Sequence, residues 1–343
     1  METTHEIRVG DARELDVEPE TVDLVVTSPP YPMVEMWDDG FAAQHPGVAT
    51  ALADGDGEAA FEAMHALLDD VWTRVADALR SGGVTAVNVG DATRRFDGEF
   101  RLYPNHTRIT EAMSAAGLTQ LPGIVWRKPT NSATKFMGSG TLPTNAYATL
   151  EHEHVLLFRK GGPRSFPPND EDRYASAFFW EERNMWFSDT WEIRGTGQGL
   201  SADDGRRERS GAFPLELPLR LVRMYSIRGD TVLDPFVGTG TTSLAAILTG
   251  RSSVGVERDP DLAAAFAERA DEAPGLSRNH ARRRLRRHQE FIADNPDNAN
   301  YEATHYDTRV VTRSEREIRL RTVADVEHTG EDPLRVVATH EPF

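Results

Sequence analysis

Five consecutive residues, Thr27-Ser28-Pro29-Pro30-Tyr31, carry the most specific chemistry in the sequence. They follow the largely apolar run 22–26, which predicts a buried parallel strand. Proline donates no hydrogen bond, so the pair ends the strand and leaves backbone carbonyls unpaired. A serine hydroxyl, these carbonyls and an aromatic ring together suit a planar base that carries an exocyclic amino group. The alternative is a plain Pro-Pro turn in which Tyr31 is a packing residue, because short motifs also occur by chance.

A second motif lies much later in the chain. Residues 231–234 predict a strand ending in Asp234, and the glycine-rich turn Pro235-Phe236-Val237-Gly238-Thr239-Gly240 follows. Its glycines let the backbone approach a ligand, and the helix start that comes next, capped by Thr241 or Thr242, favours a negative group.

The acidic residue Glu257 ends the next predicted strand, where its carboxylate can accept both hydroxyls of a ribose. A nicotinamide oxidoreductase would use the same features, but it leaves the Ser28–Tyr31 motif without a role. The turn also lacks the third glycine of dinucleotide sites and follows Asp-Pro-Phe, which favours S-adenosylmethionine.

Composition limits the classes of protein that remain. The 343 residues include 55 acidic and 38 basic side chains, for a net charge of −17, and only three are lysine. Acidity with so little lysine favours a halophile, the alternative being an acidic mesophilic protein. Such a charge is unusual for binding nucleic acid, but in molar salt the Debye length is about 3 Å and only local arginine contacts matter.

Cysteine is absent from the sequence. Disulfides, thiolate metal sites and a cysteine nucleophile are thereby excluded, and with the nucleophile the usual route to methylating a ring carbon of cytosine. The histidines show no ligand spacing, so we expect no metal. No apolar run is long enough to span a bilayer and residues 1–6 show no signal-peptide pattern, which predicts a cytoplasmic protein.

Alternating helix and strand patterns connect the two motifs. Helices are predicted at 58–80, 105–116 and 214–226, and strands at 84–89, 123–128 and 154–158. Residues 32–57 predict a long mobile loop over the site. Residues 163–211 lose periodicity and interleave aromatic residues with arginines, a composition typical of a nucleic-acid surface. The alternative for 163–211 is an irregular insertion with a small core of its own.

The C-terminal part of the sequence begins with a basic run, 278–287, that could be an arm on the DNA backbone or the exposed face of a helix. The tail from residue 301 predicts a small hairpin appendage around 310–311 and 318–321.

Taken together, the two motifs resemble those of the DNA amino-methyltransferases, and their order, catalytic motif first, matches the permuted β class. Further matching stretches are Gly10-Asp11, Asn88-Val89-Gly90-Asp91, Trp126-Arg127-Lys128-Pro129, Glu153-His154 and Phe213-Pro214. The resemblance covers roughly residues 7–270. It implies a Rossmann-like α/β fold with a mixed, mostly parallel seven-stranded sheet flanked by helices. It also implies a methyltransferase domain, placed at 1–275, with target recognition at 163–211. The tail lies outside the resemblance, and its sequence predicts a basic segment and β-rich C-terminal extension at 276–343.

The same resemblance implies roles for individual residues. The catalytic set would be Ser28, Pro29, Pro30 and Tyr31. The cofactor, S-adenosyl-L-methionine, would contact the turn through Asp234, Pro235, Phe236, Gly238, Thr239, Gly240 and Thr241. Glu257 would hold the ribose, Asp11 the adenine amino group, and Phe213 and Pro214 would lie near the methionine end.

Serine before Pro-Pro-Tyr is the form usual in cytosine-N4 enzymes, so the resemblance implies methylation of N4 on a cytosine flipped out of double-stranded DNA. Transfer would be direct, with no covalent enzyme intermediate. The alternatives are adenine-N6 methylation, an RNA substrate, and a catalytically silent DNA-binding regulator with the same fold. No endonuclease motif is visible, which favours methylation without cleavage. The recognition sequence and the choice between monomer and homodimer stay open.

Overall fold

A computed structural model of the chain describes residues 1–96, 98–128, 137–193 and 213–343. The strands, in chain order, are β1 (Glu2–Val9), β2 (Val22–Thr27), β3 (Leu79–Val89), β4 (Ala92–Phe96), β5 (Glu99–Tyr103), β6 (Leu118–Arg127), β7 (Met137–Gly138), β8 (Ala146–Tyr147), β9 (His152–Lys160), β10 (Thr190–Trp191), β11 (Thr231–Asp234), β12 (Ser252–Glu257), β13 (Tyr301–Glu302), β14 (Arg309–Val310), β15 (Arg321–Glu331) and β16 (Leu334–Pro342). The α-helices are α1 (Asp38–Ala42), α2 (Pro46–Ala53), α3 (Gly57–Ala78), α4 (Asn105–Ala115), α5 (Glu171–Ala175), α6 (Trp180–Trp186), α7 (Glu216–Tyr225), α8 (Thr241–Thr249), α9 (Pro260–Asp271) and α10 (Ala273–Asp294).

The main sheet has ten strands in the spatial order β10-β6-β9-β3-β2-β11-β12-β1-β16-β15. From β3 to β1 every neighbouring pair is parallel, whereas β9 runs antiparallel to both β3 and β6. Parallel neighbours need crossover connections, which α3 provides between β2 and β3 and α8 provides between β11 and β12. The expected α/β methyltransferase fold is confirmed. Its seven strands from β6 to β1 are extended by β10 on one edge and by the β15–β16 hairpin on the other.

Two hydrophobic cores lie on the two faces of this sheet. Along β2, Leu24 and Val26 pack with α7 and α8, while the intervening Val25 packs with α3. A side chain of a strand alternates between faces, so a strand covered on both sides must be apolar throughout. This burial explains why β2 lacks an alternating polar pattern.

The helix α3 positions the strand that follows it. Asp56 caps its start by accepting a 3.0 Å hydrogen bond from the Ala59 amide, and its apolar face is buried against the sheet. The sequence predicted a helix up to residue 80. The helix instead ends at Ala78, and β3 begins at Leu79 and includes Gly82, which has a φ of +83°.

Residues 32–57 contain the helices α1 and α2, where a long loop was expected. Pro46 occupies the first turn of α2, and the His45 ring accepts a hydrogen bond from the Gly47 amide at 3.1 Å, which starts the helix. Phe41 and Val48 are buried with α3. The apolar residues in this segment therefore serve a packed core.

The region expected to recognise the target, 163–211, is described up to residue 193 and contains α5, α6 and β10. Arg194, Arg206, Arg207 and Arg209 lie outside the described residues. The rings of Phe179, Trp186 and Trp191 are buried, whereas Trp180 and Phe187 are exposed. Trp191 belongs to the core of the main sheet and Phe179 packs with C-terminal residues such as Ala281 and Ile318, so these rings anchor the region to the rest of the fold. Trp180 and Phe187 remain as surface aromatics.

The C-terminal residues contribute α10 and four strands. The basic run 278–287 lies on α10, where Arg282, Arg283, Arg286 and Arg287 are exposed. The hairpin expected near 310–321 is instead formed by β15 and β16, and β16 pairs antiparallel with β1. None of the described helices is long and apolar enough to cross a membrane.

Candidate active site

The carboxyl ends of the parallel strands bring the two sequence motifs to one edge of the sheet. β2 ends at Thr27 and its neighbour β11 ends at Asp234, so Ser28 and the glycine-rich turn emerge side by side. The Thr27 hydroxyl donates a 2.6 Å hydrogen bond to Asp234 across 207 residues of sequence. Ligands in open α/β sheets bind at this edge of the strands.

A cavity of about 670 Å³ opens here, within the range of about 300–1,000 Å³ usual for small-molecule sites. Both motifs line it, together with the ends of β1 and β12. The predicted site residues in its lining are Asp11, Ser28, Pro29, Pro30, Tyr31, Pro235, Phe236, Gly238 and Glu257. The remaining predicted cofactor residues lie outside this lining: Phe213, Pro214, Asp234, Thr239, Gly240 and Thr241.

The glycine-rich turn is held from behind by α9. Arg269 donates to the Thr239 hydroxyl at 2.7 Å and to the Thr241 hydroxyl at 2.9 Å. Gly240 has a φ of +81°, and a Cβ there would lie 2.4 Å from Phe266 Cδ2. The contacts of Thr239, Gly240 and Thr241 with α9 therefore fix the position of the turn.

Phe213 and Pro214 lie at the start of α7. Phe213 is buried in the core beside Leu217, and the Pro214 carbonyl accepts a 3.0 Å hydrogen bond from the Leu217 amide. The pair therefore packs and begins a helix on the far side of the sheet from α3.

Asp234 is buried behind the cavity, where its carboxylate accepts hydrogen bonds from the Thr27 hydroxyl and from the Phe236 amide at 3.0 Å. Burial raises the pKa of Asp234 from its ordinary 3.8 to about 6, although these bonds and one from Thr242 act in the opposite direction. The side chain joins the end of β2 to the turn after β11.

Tyr31 lies at the centre of a buried hydrogen-bond network. Its hydroxyl is 3.0 Å from Ser28 Oγ, donates to Glu153 Oε2 at 3.0 Å, and accepts from Asn88 Nδ2 at 2.9 Å. Burial, followed by the nearby Glu153 carboxylate, raises the pKa of Tyr31 well above its usual value, so the phenol keeps its proton.

Glu153 is a cavity residue to which the sequence analysis gave no role. It lies at the start of β9, and the antiparallel pairing of Val89 with His154 places it beside the end of β3. Its carboxylate accepts from Asn88 Nδ2 at 2.6 Å and forms an ion pair with Lys128. The sequence signal was the stretch Glu153-His154 before an apolar strand, and the partners of Glu153 become apparent only from the sheet pairing.

Glu257 occupies a ring of backbone donors. Its carboxylate accepts from the amides of Gly238, Arg258 and Asp259 at 2.9, 2.8 and 2.9 Å. Burial raises the pKa of Glu257, while these amides favour the charged form. The residue links the end of β12 to the glycine-rich turn and presents a carboxylate to the cavity.

Asp11 follows β1 and lines the same part of the cavity. Arg13 binds its carboxylate through Nε at 3.0 Å and Nη2 at 2.7 Å. The hydrogen bonds from the Arg13 side chain hold the pKa of Asp11 below its usual value. The cavity thus has a second carboxylate on the side away from Ser28.

Among the described residues, Asp91, His106 and His154 form a group whose possible metal-ligating atoms lie within 4.8 Å of one another. Its members already have partners, because His106 Nδ1 is 2.8 Å from both Asp91 oxygens and the two imidazole rings stack at 4.2 Å. Asp91 also accepts the His106 amide at 3.1 Å and so begins α4.

Comparisons with known proteins agree with this geometry. A DNA methylase family model, covering methyltransferases of the N6 and N4 type, matches residues 22–268. The type II methyltransferase M.MthZI of Methanothermobacter thermautotrophicus is 46% identical over 325 residues, covering 93% of this chain and 91% of that protein. M.MjaI of Methanocaldococcus jannaschii is 48% identical over 272 residues, covering 76% and 89%.

Among solved structures, a DNA modification methylase of Thermus thermophilus in complex with S-adenosyl-L-methionine is similar, with a TM-score of 0.61 and 34% identity over 79% of this chain and 95% of that one. The polar groups that line the cavity suit this cofactor. The carboxylates of Asp11 and Glu257 can accept hydrogen bonds from its amino and hydroxyl groups. The space beside the lining residue Gly10 is open, since a Cβ at that position would meet nothing within 4 Å. The chain belongs to the N6/N4 family of DNA methylases, and it is an S-adenosylmethionine-dependent DNA methyltransferase.

Proposed function

We propose that this protein is a site-specific modification enzyme that methylates the exocyclic N4 of a flipped cytosine in duplex DNA. The observation that carries the proposal is the Ser28–Tyr31–Glu153 network at the mouth of the cofactor cavity. The serine form of the Pro-Pro-Tyr motif supports N4 over adenine N6. The names of M.MthZI and M.MjaI support a type II activity.

The network sets the direction of the Ser28 hydroxyl. Because Tyr31 donates its only proton to the ion-paired Glu153 carboxylate, the phenol oxygen can only accept from Asn88 and from Ser28. Ser28 therefore donates inward to Tyr31 and keeps its lone pairs for the substrate. With the Pro29 carbonyl, which has no amide partner in a sheet, it offers acceptors for both protons of an exocyclic amino group.

When Ser28 and the Pro29 carbonyl accept these two hydrogen bonds, they orient the amino nitrogen so that its lone pair points along the line of methyl transfer. The bound cofactor supplies a methyl group on a sulfonium centre. An amino nitrogen that received this methyl group would carry a positive charge and would have to release one proton. Ser28 Oγ would take that proton as the Ser28 proton moves to Tyr31 and the Tyr31 proton moves to the Glu153 carboxylate, which would end protonated. Positioning of this kind contributes several kcal/mol in catalysis.

The cofactor is assigned to the side of the cavity away from Ser28. We assign its ribose to Glu257, its adenine amino group to Asp11, and the close backbone approach to Pro235, Phe236 and Gly238. Residues behind the lining, Asp234, Thr239, Gly240 and Thr241, hold the turn in place. Phe213 and Pro214 support α7.

Duplex DNA would approach the same edge of the sheet, since the target base must leave the helix to reach Ser28. Tyr31 and the nearby cavity residue Trp37 offer aromatic faces for the extruded base. The exposed Trp180 and Phe187 belong to the region assigned to target recognition.

The test is to incubate protein, cofactor and duplex DNA and to identify the modified nucleoside by mass spectrometry. N4-methylcytosine is expected, and N6-methyladenine would overturn the base assignment. Ser28→Ala should lower the single-turnover rate about 100-fold or more while cofactor binding by calorimetry stays intact. Near-normal turnover by this variant would contradict the role of the hydroxyl.

A further inference from the structure

A second cavity, of about 30 Å³, lies away from the active site and is lined by an unusual set of cations. Five arginines from five separate segments meet there: Arg223, Arg228, Arg251, Arg284 and Arg321. His280, His340 and the hydroxyl residues Ser176, Thr249 and Ser277 make up the rest of the polar wall, and none of the described residues that line the cavity is acidic.

Only one of these guanidinium groups has a carboxylate partner in the described part of the chain. Arg284 binds Glu182 through two hydrogen bonds, of 2.6 and 2.7 Å. Arg251, 3% exposed, bonds to the Ser226 hydroxyl and carbonyl and to the Thr249 carbonyl, all of them neutral oxygens. Its positive charge is therefore buried without an ion-paired carboxylate among the described residues, and Asp230 acts on it only at longer range.

Arg223 and Arg321 also have more hydrogen-bond donors than the surrounding described residues have acceptors. Arg223 is 9% exposed, and its Nη1 lies 2.5 Å from His280 Nε2, while Arg283 Nη2 lies 2.9 Å from His280 Nδ1. A neutral imidazole has only one acceptor nitrogen, so it cannot satisfy both arginines. The Nε of Arg321 is buried and lacks a hydrogen-bond partner among the described residues.

Arg228 and Arg251 stay charged at neutral pH. Burial, and then the neighbouring guanidinium groups, lower the pKa of Arg251 to about 9 and that of Arg228 to about 10. A buried charge without a paired opposite charge is costly, so such a cluster favours binding of an anion.

That anion cannot be a phosphate of DNA bound at the active site. Arg228 precedes β11 and Arg251 precedes β12, whereas the catalytic cavity follows the last residues of these strands. The two cavities lie at opposite ends of the strands. The cavity is small, about 30 Å³, which suits a monatomic ion better than a nucleotide or another organic anion.

We propose that this cavity binds a chloride ion, which neutralises the arginine cluster and joins the C-terminal segment to the methyltransferase sheet. Arg284 belongs to α10 and Arg321 begins β15, while Arg223, Arg228 and Arg251 belong to the body of the fold. Chloride therefore bridges segments that are distant in the sequence. Although the protein has many exposed carboxylates, its fold is thus stabilised by an anion bound in this internal cavity.

The first test is thermal unfolding of the full chain in sodium chloride and in sodium gluconate at equal ionic strength. Chloride should raise the Tm by about 2–4 °C, because a ligand that binds only the folded state stabilises it. Arg321→Gln should remove most of this difference and should not lower the Tm in gluconate. The matched control Arg286→Gln changes an exposed arginine of α10 paired with Glu290 and should keep the chloride effect.

The second test needs no variant. Crystals grown with bromide in place of chloride should show an anomalous peak in this cavity. Equal Tm values in chloride and gluconate would overturn the proposal, even with a bromide peak, which would then mark an adventitious ion only. Stabilisation by sulfate or phosphate but not by halides would overturn the choice of chloride and assign the cavity to an oxyanion.

Discussion

The hydroxyl of Tyr31 donates a 3.0 Å hydrogen bond to the carboxylate of Glu153, across 122 residues of sequence. This bond joins the end of a parallel strand to the start of the antiparallel strand β9. It determines which way the proton of Ser28 points, and hence what the serine can offer to a substrate.

Glu153→Gln should slow methyl transfer by about 10- to 100-fold, since a hydrogen bond to a charged group contributes about 1.5–3 kcal/mol. The amide can also donate to Tyr31, which would reverse the orientation of the network. Single-turnover kinetics measure the rate, and calorimetry should show unchanged cofactor affinity. Glu302→Gln, at an exposed ion pair with Arg309, is the matched control. A wild-type rate for Glu153→Gln would remove this residue from the mechanism.

Glu257→Gln should weaken binding of S-adenosylmethionine by about 10- to 100-fold, because the charged acceptor for the ribose is lost. Isothermal titration calorimetry gives the Kd directly. Thr239→Val, which removes a hydrogen bond to Arg269 outside the cavity lining, should lower the Tm more than the affinity. The reverse pattern would show that Thr239, and not Glu257, contacts the cofactor.

Asp234→Asn should change how stability depends on pH. The folded-state pKa of about 6 exceeds the ordinary 3.8, so the folded protein binds the proton more tightly. Protonated Asp234 therefore stabilises the fold fully below about pH 4, and this contribution is lost as pH rises through about 6. Between about pH 4 and 7 the free energy of unfolding should fall by about 3 kcal/mol more in the wild type than in Asp234→Asn.

Denaturant unfolding at each pH measures this difference. The asparagine oxygen can still accept from Thr27 and Phe236, so the variant should fold. Parallel curves for the two proteins would mean that Asp234 titrates near its ordinary value.

Gly240→Ala should destabilise the protein by about 1–3 kcal/mol, because it combines a positive φ with a Cβ that overlaps the Phe266 ring. Phe266→Leu in the same chain should restore part of the loss by making room. Chemical denaturation of the single and double variants measures the coupling. Additive effects would show that backbone strain alone accounts for the loss.

Local sequence was sufficient to predict the elements whose signals are contiguous. The apolar run before Ser28 and the turn from Asp234 to Gly240 each contain strand, breaker and glycine or proline in order, and the structure places both at one edge. The sequence could not show that the β15–β16 hairpin completes the sheet, because its partner is β1. Charge was also ambiguous, since Arg284 of the basic run is largely buried against Glu182 while Arg286 is exposed.

The pairing of β2 with β11 has a consequence for how the enzyme is made. Strand β2, which ends just before Ser28, is synthesised about two hundred residues before β11, the strand with which it pairs. A product that ends before residue 231 would contain the whole catalytic motif. One side of β2 would then lack its neighbouring strand β11, and the Thr27 hydroxyl would lack its acceptor Asp234. Such a fragment would also lack the glycine-rich turn and Glu257, which line the cavity, so we expect incomplete chains to be inactive.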